Sequence, residues 1–164
     1  LHSDYRFLRD LFHMEFIPVD PSLDDESHIR AVLNDFMEAG LVREEASGEG
    51  LRITRMGMVR LPAWARFAKT FLESYWIVVQ TLLQKGKKAS KRGDELKAMK
   101  FAGLRFHKLG VIDHLEAVSQ LTFRTALDRL AESGLRNAEP GSPAVKRELT
   151  DIGKRLYELA RFQG

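Results

Sequence analysis

The 164-residue chain contains no cysteine. That absence excludes disulfides, thiolate catalysis, Cys-ligated zinc and iron–sulfur clusters, and with them a disulfide-stapled secreted fold. Charge of one sign is also scarce. Lys and Arg number 26 against 23 Asp and Glu, a formal net of +3, too small a total to imply nucleic acid. No Gly-x-x-x-x-Gly-Lys-Ser/Thr loop, no Gly-x-Gly-x-x-Gly turn and no Gly-x-Ser-x-Gly elbow occurs. His13-Met14-Glu15 has no metal-ligand partners at useful spacing. Asp113 and His114 are adjacent, so on a helix they would point about 100° apart. The five histidines read as packing or surface residues, and no catalytic residue, cofactor or metal is expected. The chain opens at Leu1 without a basic leader or apolar run and reads as a fragment or a processed chain.

What is present is a globular composition, 44% hydrophobic and 30% charged, in a chain able to bury about 70% of its unfolded surface. Helical periodicity dominates. Tyr5, Leu8, Leu11, Phe12 and Phe16 mark a first helix, and a loop with Pro18, Pro21 and Ser22 follows. Ile29, Val32, Leu33, Phe36 and Met37 mark a second helix, with Asp24 or Asp25 as N-cap and Gly40 as stop. Two short β-like pieces, Leu41–Glu45 and Leu51–Thr54, flank turn residues Ala46 to Gly50. A long helix is expected over Leu61–Leu83, entered near Pro62, and further helices over Glu95–Leu109, Ile112–Val118 and Leu121–Glu132.

The stretch His28–Gly57 aligns with Thr122–Gly153. Arg30, Leu33, Glu38, Gly40-Leu41, Thr54 and Gly57 match Arg124, Leu127, Glu132, Gly134-Leu135, Thr150 and Gly153, with the second copy longer around Pro140-Gly141-Ser142-Pro143. Each copy reads as helix, glycine stop, strand, turn, strand ending in apolar-Thr-x-x-Gly, then helix. The expected fold is therefore mainly α: two winged-helix-like units joined by a long apolar helix. The expected domains are 1–60, 61–94 (the apolar helix with a basic linker) and 95–164.

A winged helix that reads DNA needs positive charge on its recognition helix and wing. Helix Asp25–Ala39 carries net −3, and its wing −1. The second helix is balanced, and its wing, Arg136 to Glu148, carries +1. Neither unit carries the basic footprint of a DNA reader, so a tandem winged-helix module for nucleic-acid binding, or for protein interaction, is the alternative rather than the first reading. The basic residues lie elsewhere: Lys85–Lys108 carries +7, leaving −4 for the remainder.

Pro62–Lys88 is the most apolar stretch, with Trp64, Ala68, Phe71, Tyr75, Val78, Val79 and Leu82 on one stripe and Phe67, Leu72, Trp76 and Leu83 widening it. Arg66, Lys69 and Glu73 oppose a membrane crossing, at about 2.5–3.5 kcal/mol for each central charge. The expectation is a buried helix joining two small domains. Its aromatics Trp64, Phe67, Phe71, Tyr75 and Trp76, and the adjacent Lys85, Lys87, Lys88, Lys91 and Arg92, are the candidates for membrane or partner contact.

Two segments, "FLESYWIVVQTLL" (Phe71–Leu83) and "GVIDHLEAVSQLTFRTALDRLAESGL" (Gly110–Leu135), resemble the C-terminal region of bacterial glycerol-3-phosphate acyltransferases. The resemblance is good over Phe67–Leu135 and loose before it. That family's catalytic His-x-x-x-x-Asp motif deprotonates the glycerol 3-phosphate hydroxyl for attack on an acyl thioester. No histidine here has Asp five positions later, and His107 to Asp113 is one residue too long. The resemblance implies a non-catalytic accessory domain in phospholipid biosynthesis. Its partner would be the catalytic domain of the same parent chain or an anionic membrane surface, on the cytoplasmic side and peripheral to the inner membrane.

Overall fold

A computed structural model describes residues 2–16, 24–45, 48, 50–85, 92–136 and 142–161. Among these the protein is mainly helical, with six α-helices and one two-stranded sheet. Pro18, Pro21, Ser22, Ala46, Ser47, Glu49, Lys87, Lys88, Lys91, Pro140, Gly141 and the side chain of Lys85 lie outside what is described. The chain divides into two compact units, Leu1–Phe67 and Ala68–Gly164.

The first unit holds α1 (His2–Leu11), α2 (Asp25–Glu38), β1 (Val42–Glu44), β2 (Leu51–Ile53) and the opening turns of α3 (Arg55–Lys85). Asp24 caps α2, its carboxylate accepting the Ser27 N–H at 2.7 Å. That hydrogen bond holds the Asp24 carboxyl below the usual carboxylate range. Asp25 ties α1 to α2 through Arg6, at 2.6 Å, and Arg9. α2 stops at Gly40, whose φ of +67° suits a residue without Cβ. The Leu41 N–H then reaches back to the Phe36 carbonyl at 2.8 Å, closing the helix end. β1 and β2 pair antiparallel, Val42 opposite Ile53, Arg43 opposite Arg52 and Glu44 opposite Leu51. The buried apolar residues are Leu11, Phe12, Ile29, Leu41 and Val42.

α3 begins earlier than the sequence predicts, and Pro62 lies inside it. Thr54 supplies the start: its hydroxyl donates to the Gly40 carbonyl at 2.6 Å and accepts the Gly57 N–H at 3.0 Å. Pro62 removes the amide that the Met58 carbonyl would bind, a loss tolerated on this exposed stretch of the helix because solvent can supply a donor.

The second unit holds the rest of α3, α4 (Arg92–Lys108), a 3-10 turn at Leu115–Ala117, α5 (Gln120–Glu132) and α6 (Pro143–Arg161). Its core gathers Tyr75, Ile77, Val78 and Val79 of α3 with Met99, Phe123, Leu127, Leu130 and Leu156. Ion pairs between Arg92 and Asp128 at 2.7 Å and between Glu95 and Arg136 at 2.9 Å fasten the start of α4 to α5 and the turn after it.

Two expectations change here. The helix expected over Ile112–Val118 is reduced to the 3-10 turn at Leu115–Ala117, and the Asp113 and His114 amides just before it are taken by Glu73. The second wing, expected between Arg136 and Leu149, has no strand among the described residues. α6 starts at Pro143, a residue suited to a first helical position, and Val145, Leu149, Ile152, Leu156 and Ala160 follow on one face.

Candidate functional site

A cleft of about 390 Å³ in the second unit brings polar side chains from three segments together. α3 contributes Lys69, Glu73 and Trp76, spaced i, i+4, i+7 and so on one helix face. α4 ends at Gly110, with φ +67°, and the Val111 N–H bonds back to the Phe106 carbonyl at 2.9 Å. This turn lays Val111, Ile112 and Asp113 along the cleft. α6 brings Tyr157 and Arg161 one turn apart, the guanidinium 4.6 Å over the tyrosine ring. Trp76 packs edge-on to Phe106 at 5.0 Å and lies 5.8 Å from Tyr157.

The electrostatics centre on Glu73, which is 3% exposed. One of its oxygens accepts the Asp113 N–H at 2.9 Å. The other accepts the His114 N–H at 3.0 Å and meets His114 Nδ1 at 3.1 Å. A buried carboxylate is tolerated when its lone pairs are filled in this way. Lys69 pairs with Asp113 and, chiefly through that hydrogen bond, holds the Asp113 carboxyl below its usual range. Glu73 has both oxygens on protein donors, whereas Asp113, 60% exposed, is held through one oxygen by Lys69. Among the described residues, no group of three or more His, Asp or Glu is placed to hold a metal ion. Chemically, the arrangement is a staple that fixes the turn after α4 against α3.

The residues singled out in the sequence, where described, have different local settings. Tyr75 fills the core at 1% exposure and presents no surface. Trp76 lines the cleft, and Phe71 is half-buried. Arg92 is held by Asp128. Trp64 and Phe67, in the first unit, are 57% and 60% exposed, with Trp64 packed on Phe36 at 5.7 Å. Among the described residues, no helix is long and apolar enough to cross a membrane.

Sequence reasoning treated Lys69 and Glu73 only as charges opposing a membrane span. The available signal was their spacing with Trp76. Their partner Asp113, by contrast, is 44 positions from Lys69 and carries no local mark. Residues 1–139 match the family described as the glycerol-3-phosphate acyltransferase C-terminal region; the α6 wall of the cleft lies beyond that span. No curated protein and no solved structure matches the chain.

Proposed function

Because this chain belongs to the glycerol-3-phosphate acyltransferase C-terminal region family, we propose that it is a non-catalytic accessory region of such an enzyme, serving phospholipid biosynthesis by contact rather than by chemistry. It packs on the catalytic domain of the same parent chain and works on the cytoplasmic side, peripheral to the inner membrane. The observation that supports the non-catalytic reading best is the state of Glu73. The most buried carboxylate of the cleft has both oxygens occupied by the chain's own donors, leaving none aimed at a substrate hydroxyl. We read α2, the β1–β2 hairpin and the start of α3 as a winged-helix-like module used for contact, a use the fold class supports as readily as DNA binding.

The test pairs this chain with the separately produced His-x-x-x-x-Asp domain of its parent. The chain alone should give no acyl transfer to glycerol 3-phosphate. Mixed with the domain, it should form a complex in sedimentation velocity and raise the domain's kcat/KM. Turnover by the chain alone, or the absence of a complex, overturns the reading.

A further inference from the structure

We propose that β2 and the first three turns of α3 form the face that lies on an anionic phospholipid bilayer, with the helix in the plane of the interface. This deepens the membrane-peripheral part of the accessory reading and rests on it. Of the thirteen residues Arg55–Phe67, only Gly57 is buried and Leu61 half-buried. The exposed remainder includes Met56, Met58, Val59, Trp64 and Phe67, and β2 adds Leu51 and Ile53. Seven large apolar side chains are exposed within seventeen residues, and Met56, Val59 and Phe67 fall within about 80° of one another around α3, an apolar strip fit for docking.

The charge on this stretch identifies the occupant. From Gly50 to Leu72 there is no Asp or Glu, while Arg55, Arg60 and Arg66 stand on the exposed opening turns of α3. Arginines mixed with Trp, Phe and Met are the composition of interfacial helices, whose apolar side chains enter the headgroup boundary while their cations meet lipid phosphate. A nucleic-acid backbone would satisfy the arginines but leave the apolar side chains exposed to water.

The experiment sediments the 164-residue chain with phosphatidylcholine vesicles, with and without phosphatidylglycerol. Binding is expected only to the anionic vesicles, and it should weaken as salt is raised. Each arginine is worth about fivefold in affinity, so Arg55→Gln, Arg60→Gln and Arg66→Gln together should weaken binding on the order of 100-fold. Trp64→Ser with Phe67→Ser should also release the chain. Val59→Glu, a single change at a position 79% exposed, gives a third route that leaves the fold untouched; circular dichroism confirms helicity for each variant.

Lys87→Gln, Lys88→Gln and Lys91→Gln together should bind as the parent does. No binding, or equal binding to both vesicle types, overturns the proposal. Loss in the lysine variant alone also overturns this face, while leaving the accessory reading and its complex with the catalytic domain intact. A dimer that Val59→Glu disperses, without vesicle binding, assigns the face to a second copy and overturns it too.

Discussion

Glu73 carries more of the second unit's local order than its single charge suggests. Removing it strands the two backbone amides that its oxygens accept. Glu73→Ala should therefore cost about 3 kcal/mol, a fall in Tm of roughly 6–12 °C for a chain of this length, while Glu73→Gln, which keeps an acceptor oxygen, should cost less. A fall below about 2 °C for Glu73→Ala in thermal denaturation would refute the staple. Ser74, one position on, behaves in the opposite way. Its hydroxyl is buried without a hydrogen-bond partner among the described residues, so Ser74→Ala should be neutral or stabilising by up to about 1 kcal/mol in urea unfolding. Asp113 gives a pH signature. Its folded pKa is lowered by Lys69, so the pair's contribution is complete above the ordinary value of about 3.9 and is lost as pH falls through the lowered one. The Asp113 side chain is 60% exposed, which limits the pair to under about 1 kcal/mol. The stability of Lys69→Met should therefore sit slightly below the parent at neutral pH and converge on it in acid.

At the scale of elements, the repeated Thr-x-x-Gly motif does two different jobs. In the first unit Thr54 caps α3, and Gly57 lets the helix approach the strand: a Cβ there would meet the Leu41 carbonyl oxygen at 2.0 Å. In the second, Thr150 lies inside α6 with its hydroxyl on the Lys146 carbonyl at 2.7 Å. There Gly153 admits Val79 of α3, whose Cγ1 would be 3.1 Å from a Cβ. Gly57→Ala should thus cost about 3 kcal/mol, because backbone rather than a flexible side chain must move. Gly40→Ala, in open space but at positive φ, should cost about 1–2 kcal/mol. Urea unfolding of the two variants ranks them, and the reverse order would contradict the packing. Sequence reasoning located α2, both strands, α5 and the glycine stops at Gly40 and Gly134, since each follows from local chemistry. It failed where tertiary contacts override the pattern. The residues aligned with β2 become helix in α6, and the Ile112–Val118 segment, with two of its amides held by Glu73, forms a 3-10 turn instead of an α-helix.

The whole molecule distributes its core unevenly. Among the described residues, five of the buried apolar side chains belong to the first unit and seventeen to the second. Since burial is the main source of stability, amides of the first unit should exchange with deuterium at lower opening free energy than those of Tyr75–Val79 or Phe123–Leu130. Equal protection would contradict this. Net charge hides a similar unevenness. The split between Lys85–Lys108 and the remainder was legible, but the acid-free run from Gly50 to Leu72 gains its meaning only once α3 is seen to leave that run exposed. The two tryptophans, finally, fall one to each unit: Trp64 mostly in water on Phe36, Trp76 half-buried against Phe106 and Tyr157. Two built-in optical reporters should follow, the redder indole in the weaker unit and the bluer in the stronger. The order in which its parts melt can be followed by emission wavelength without attaching a dye.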